Sequence, residues 1–235
     1  MKKIFYLILT SLTLVTTSCG SYTGNGTLVG TGAGAAIGAG LGMLFSSSSD
    51  RGKGAAIGAA IGSAVGAGTG ALIGRHMDKK KAALEAELAN QASVETFTDA
   101  NGLTAIKVTF DADMTFATGK ANLSTSAKAA LTKFAAQMAT DDMVNTAIQI
   151  KGHTDNTGTA AVNEKLSLQR AQAVGTVLKG NGIATNRLFE EGCSFNEPVA
   201  DNGTVAGRKQ NRRVEVYVLA TDAMVQQYSQ QNSGL

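Results

Sequence analysis

The chain has 235 residues, 43% of them hydrophobic and 17% charged, with a formal net charge of +3. Lys2 and Lys3 sit in a leader-like start; without them 19 basic residues face 18 acidic ones, so the basic excess of a nucleic-acid binder is missing. Aromatics are scarce at 5% and Trp is absent, while the 28 glycines gather largely before residue 75.

Met1-Lys2-Lys3 runs into the apolar IFYLILTSLTLV, too short for a stable span and followed by small residues. Residues 1–18 therefore read as a secretory signal. The run LVTTSCG, from Leu14 to Gly20, resembles the lipobox of bacterial lipoproteins, in which small residues precede a cysteine that is acylated and becomes the mature N-terminus. Ser18 and Gly20 fit that pattern, whereas Thr16 stands where the family has Leu. The resemblance implies lipidation at Cys19 and a lipidated spacer over 19–27. Gly20 lacks the acidic character of an inner-membrane retention signal, which favours the outer membrane. Several acyl chains, at about 0.8 kcal/mol per buried CH₂, make such an anchor durable. An ordinary secretory signal with an incidental cysteine is the plainer alternative. Cys19 and Cys193 are the two cysteines; with Cys19 lipidated, Cys193 is expected to be a buried free thiol.

Two glycine combs follow. Glycines recur every four residues at Gly30, Gly34, Gly38 and Gly42, and again from Gly54 through Gly58, Gly62, Gly66 and Gly70 to Gly74, separated by the polar SSSSDRGK. A period of four places them on one helical stripe. In water each would cost about 1 kcal/mol against Ala, so the spacing makes sense where backbones approach closely, as in small-xxx-small helix pairs. Residues 28–77 are therefore expected to form a glycine-zipper helical hairpin able to make homo-oligomers. The second comb is uncharged over 21 residues, Gly54 to Gly74, long enough to cross a bilayer. A Gly-rich tether is the competing reading. Residues 78–93, charged and glycine-free with Leu84 and Leu88 at helical spacing, predict a solvated linker helix.

From Val94 the pattern is that of a compact α+β domain, expected over 94–220. SVETFT and LTAIKVTF read as strands around the DANG turn, with Ile106, Val108 and Phe110 on the buried face. A helix is predicted from about Ser124 to Thr140, burying Ala127, Ala130, Leu131, Phe134 and Met138, with Asn122 or Ser124 as its cap. A strand over Asn145–Gly152 leads to a long helix closed by Gly180-Asn181-Gly182. NRLFEEG is a further strand, the stretch Cys193–Gln210 a long loop with Pro198, and RRVEVYVLA the last strand. This β-α-β-α-β-β order implies a mixed sheet with two helices packed on it. The polar tail over 221–235 is expected to fray.

Three blocks, MTFATGKANLSTSAKAAL, KGHTDNTGTAAVNEKLSLQRAQAV and GRKQNRRVEVYV, together resemble the OmpA-like peptidoglycan-binding domain. Its signature is a strand ending in G-x-T-D-x-x-G, an N-x-x-L-S-x-x-R-A helix and a final N-R-R-V strand. With lipobox and paired combs, the whole layout is similar to lipoproteins of the YiaD type. The resemblance implies a wall anchor in the periplasm, tethered to the outer membrane through Cys19, that binds peptidoglycan stem peptides. By carry-over, Asp155 accepts from the ammonium of meso-diaminopimelate and Arg170 grips the carboxylate beside it. The residue chemistry agrees, since a carboxylate beside a guanidinium is a receptor for a zwitterion. A structural salt bridge is the competing account of that pair. Thr154, Asn163, Leu166, Arg213, Phe116 and Thr118 are expected to line the site or hold it in shape. Of the adjacent arginines, Arg213 is expected to face the ligand and Arg212 the solvent. Ala117 replaces an acidic residue frequent in the family after the loop Phe.

His76 and His153 are far apart in sequence and no cysteine cluster accompanies them, so no metal site is expected. His153 is assigned instead to orienting the Asp155 loop. No cofactor is implied, and neither paired catalytic carboxylates nor a nucleophile–base set points to a wall hydrolase. The remaining alternative is a membrane-inserting or oligomerising zipper protein of envelope assembly, with the C-terminal domain as its anchor.

Overall fold

Alternation of apolar and polar residues builds the sheet, and cross-strand registry turns it into two contrasting faces. The computed structural model of the chain describes residues 67–111, 116 and 119–233. The signal, Cys19, the first comb, most of the second and Thr118 lie outside the described residues. Strands β1 (Ser93–Thr98), β2 (Thr104–Asp111), β3 (Thr146–Gly152), β4 (Leu188–Gly192) and β5 (Arg213–Ala220) form a sheet of order β1-β2-β5-β3-β4. β3 and β4 pair in parallel and the other neighbours are antiparallel. Val108, Val216 and Ile150 align across three strands, as do Ile106, Val218 and Ile148, and all six are buried in the core. The opposite face carries Thr109, Glu215 and Lys151 in one row and Lys107, Tyr217 and Gln149 in the next. The expected mixed sheet with helices on it is present.

Helix α1 (Ala67–Glu87) lies against β1 and β2, α3 (Ala160–Gly180) against β3 and β4, and α2 (Thr125–Met138) between those two helices. Ser124 caps α2, its hydroxyl accepting from Ala127 N at 3.0 Å, and the five inner residues expected from the sequence are all buried. Thr159 caps α3 through Val162 N. Arg187 donates to the carbonyls of Met138, Met143 and Thr146, satisfying the end of α2 and the turn after it.

Three expectations are corrected. The helix expected as a solvated linker over 78–93 is the second half of α1 (Ala67–Glu87), which belongs to the domain. Ile73, Met77, Leu84 and Leu88 are fully buried in the common core. Their spacing of four, seven and four makes one stripe; the charges between them occupy the other faces, and the preceding glycines obscured the period. The tail expected to fray is helix α5 (Asp222–Ser233), packed on α1. Met224 and Val225 are buried, Ser229 meets Thr69 at 3.3 Å, and the rings of Tyr228 and His76 stand 5.7 Å apart. Its polarity misled because two apolar side chains suffice when the neighbouring helix supplies the rest of the interface. The loop Cys193–Gln210 also holds a short helix, α4 (Val205–Asn211), capped by Thr204.

Candidate functional site

The site grows from the point where β3 and β4 end together. Gly152 and Gly192 pair across the two strands, and the backbone of α3 presses on both. A Cβ at Gly152 would stand 2.0 Å from Ser167 O, and one at Gly192 would stand 2.6 Å from Leu168 N. Only hydrogen fits there, so α3 crosses directly over the strand ends and the segment 153–159 folds back beside it. Ser167 secures the crossing, its hydroxyl accepting from Ser194 N at 3.0 Å.

Asp155 sits in this loop, 8% exposed. Its Oδ1 accepts from Thr157 N at 2.9 Å and its Oδ2 from Arg212 Nη1 at 2.7 Å. Burial alone would raise the carboxyl, but the Arg212 and Thr157 bonds outweigh it and hold Asp155 below the usual carboxylate range. Asn163, buried on the first turn of α3, donates to Thr157 O at 2.9 Å and fixes the loop from the other side.

Arg170 lies two turns further along α3 and is 2% exposed. Its Nε donates to Lys120 O at 3.2 Å and its Nη1 to His153 O at 3.4 Å. The guanidinium stands over the Phe116 ring, 5.2 Å from the centroid, in cation–π contact. Phe116 is itself buried and bridges to Leu123. The arginine is thus wedged between Phe116 and Lys120 on one side and the stem of the Asp155 loop on the other.

The other expected residues fall as follows. Thr154 is buried and donates its N–H to Ser194 O; its hydroxyl has no partner among the described residues. Leu166 is half-buried on α3. Arg213 does not take the ligand-facing position beside Asp155 expected of it. It is 4% exposed, with Nε on Glu215 Oε1 at 2.7 Å and Nη2 on Glu197 O at 3.1 Å. Arg212 takes the place beside Asp155. With Val214, Val216 and Val218 facing the helices once β5 is paired, Arg213 and Glu215 share the opposite face. His153 touches Arg170 through its backbone carbonyl, while its ring points to Glu215, 3.3 Å from Oε2. Burial is the main cause holding the imidazole below its ordinary pKa, against the raising effect of Glu215.

Comparison with known proteins adds identity to this geometry. The model of the OmpA family matches residues 115–212, and that of the YMGG-like Gly-zipper matches residues 1–78. Probable lipoprotein YiaD of Escherichia coli (strain K12) is 36% identical over 224 residues, covering 92% of this chain and 98% of that protein. The chain belongs to the OmpA family. Peptidoglycan-binding protein ArfA of Mycobacterium bovis is 42% identical over 71 residues, 30% of this chain and 22% of that one. Among solved structures, the cell wall anchor of the T6SS from Pseudomonas aeruginosa superposes with a TM-score of 0.51 at 32% identity, over 60% of this chain and 96% of that one. The OmpA-family chain spans about a third to three fifths of the length of other outer-membrane relatives it matches.

The OmpA-family match ends on Arg212, which sequence reasoning placed toward solvent. Asn211 was missed as an organiser. It is fully buried, its Oδ1 accepts from Val199 N and Ala200 N, and its Nδ2 donates to Ala200 O and Asn202 Oδ1. One amide side chain thus closes the loop that carries Arg212 back to Asp155. The signal was available in the N-R-R block, where an Asn before a strand is suited to turn making.

Proposed function

We propose that the chain is a non-catalytic lipoprotein of the outer membrane that tethers that membrane to the cell wall. Lipid on Cys19 holds one end, and the domain from residue 67 onward binds peptidoglycan stem peptides in the periplasm. Asp155 accepts from the ammonium of meso-diaminopimelate and Arg170 donates to its carboxylate, with Asn163 and Phe116 holding the two in place. The observation that carries this reading is the convergence of both groups on one loop: Arg170 grips the carbonyl of His153, two residues before Asp155. Burial strengthens the pairing, because desolvated charges discriminate sharply between a zwitterion and a neutral ligand. Arg212 keeps Asp155 ionised between binding events, and an incoming ammonium shares or takes over Oδ2. The names of the wall-binding relatives, ArfA and the T6SS anchor, support the same ligand class.

The test is retention of the detergent-solubilised full chain on purified sacculi. Asp155→Asn and Arg170→Gln should each lower retention at least about tenfold, as loss of a charge-assisted bond of roughly 1.5–3 kcal/mol requires. Free diaminopimelate should elute the wild type. Undiminished retention of both folded variants defeats the site.

The Gly-zipper match over residues 1–78 supports a second role, association of the combs at the membrane. Residues 67–74 are already committed to α1 and its packing on the domain. The uncharged run therefore retains residues 54–66 for the bilayer, about 20 Å if helical, against a hydrocarbon core of roughly 30 Å. Among the described residues no helix is long and apolar enough to cross a membrane. We infer that the second comb associates with a partner helix rather than spanning alone. Removing residues 30–66 should abolish oligomers and preserve wall binding; persistence of the oligomers counts against the role.

A further inference from the structure

The proposed wall binding leaves one partly buried cluster unused. Because β3 and β4 are parallel and end in register, the residues that follow them, His153 and Cys193, emerge side by side. Cys193 N donates to Gly152 O at 2.9 Å and Thr154 N to Ser194 O at 2.8 Å, locking that adjacency. The chain then turns, bringing Glu197 over the same point. One imidazole nitrogen of His153, the Cys193 sulfur and a carboxylate oxygen of Glu197 all lie within 4.8 Å of one another. His153 is 1% exposed and Cys193 3%. Among the described residues His153 Nδ1 has no hydrogen-bond partner, and Nε2 lies 3.3 Å from Glu215 Oε2. A buried imidazole with an unused nitrogen aimed among other donors calls for a ligand.

We propose that His153, Cys193 and Glu197 form a binding site for a zinc-class divalent cation. The mixture of imidazole nitrogen, thiolate and carboxylate suits such a borderline ion rather than calcium or magnesium. Bonds of about 2.0–2.3 Å to one tetrahedral ion put donor atoms about 3.5 Å apart, so side-chain rotations of about 1 Å close the set. Three protein donors leave one position for water. Glu215 lies beside His153 Nε2 and is fixed by Arg213 at 2.7 Å and Tyr217 at 2.5 Å, so with Nδ1 as the ligand it would orient the ring. Lys151 now pairs with Glu197, its Nζ 3.1 and 3.2 Å from the two carboxylate oxygens. Its four-carbon stem lets the ammonium withdraw when a metal arrives. Binding replaces the S–H bond of Cys193 with a sulfur–metal bond, and the proton leaves to solvent. The site stands apart from the wall-binding reading, sharing the His153 backbone but none of the groups assigned to the ligand.

The full chain carrying Cys19→Ala, which leaves Cys193 as the one cysteine, is stripped of metal and titrated with Co²⁺. One equivalent should bind with a thiolate-to-cobalt charge-transfer absorption in the near ultraviolet, and Zn²⁺ should displace it. Cys193→Ser should abolish the band. Glu197→Gln alters a side chain 44% exposed and so spares the fold, yet it should weaken Zn²⁺ binding at least about tenfold. Absence of the band in the folded Cys19→Ala chain overturns the site. So does an unchanged Zn²⁺ affinity in Glu197→Gln.

Discussion

Arg212 Nη1 lies 2.7 Å from Asp155 Oδ2, joining the start of the last strand to the loop after β3 across 57 positions of sequence. The pair is only partly open to water, the Arg212 side chain 26% exposed and that of Asp155 11%. Its value should fall between that of an exposed pair and that of a buried one. A double-mutant cycle with Asp155→Asn and Arg212→Gln, read from urea unfolding, should return a coupling of about 1 kcal/mol. A coupling near zero would mean the contact does not persist in solution.

The corrected domain boundary has a direct consequence. A fragment limited to residues 94–220 lacks α1 and α5, and with them Ile73, Met77, Leu84, Leu88, Met224 and Val225, all buried. At roughly 1.5–3 kcal/mol for each buried side chain, their loss is comparable to the whole stability of an ordinary domain. Circular dichroism should show residues 67–235 folding cooperatively and 94–220 failing to do so. Within the full chain, Met77→Ala should cost about 2–5 kcal/mol in urea unfolding.

Two glycines offer a matched comparison. A methyl at Gly152 would meet the Ser167 carbonyl oxygen at 2.0 Å, and neither backbone can give way cheaply. Gly152→Ala should destabilise by about 1–3 kcal/mol or more and loosen the Asp155 loop by lifting α3. Gly180, the last residue of α3, would meet nothing within 4 Å. Gly180→Ala should be neutral or stabilise by up to about 1 kcal/mol, seen as an unchanged or raised Tm.

Asp99 organises the turn between β1 and β2, its Oδ1 accepting from Asn101 N at 2.8 Å and Leu103 N at 2.9 Å. Burial raises its carboxyl above the ordinary value, outweighing those bonds, and its Oδ2 is buried without a partner among the described residues. A folded pKa above the unfolded one means the folded state holds the proton more tightly, so stability is lost as pH rises through that range. Asp99→Asn keeps the Oδ1 acceptor and removes the buried charge. It should therefore be more stable than wild type at pH 7, with the advantage vanishing in acid below the ordinary carboxylate range. Urea midpoints measured across that interval check the sign.

Sequence alone determined the strands, the α2 helix with its Ser124 cap, the α3 helix with its glycine-flanked end, and the loop and helix that carry Asp155 and Arg170. These features are written in local periods and short motifs: alternation in Ala105–Phe110, the Ser124 cap, and the blocks around Gly152 and Asn163. Tertiary structure decided which arginine meets Asp155, because Arg212 and Arg213 differ only in the face each takes once β5 is paired. It also decided that α1 and α5 belong to the domain, for Ile73 and Met224 become core residues only when the two helices and the sheet edge cover one another. The meeting of His153, Cys193 and Glu197 was equally invisible. Local pattern fixes what a segment can become, whereas charge partners and shared cores depend on distances closed by strands far apart in the chain.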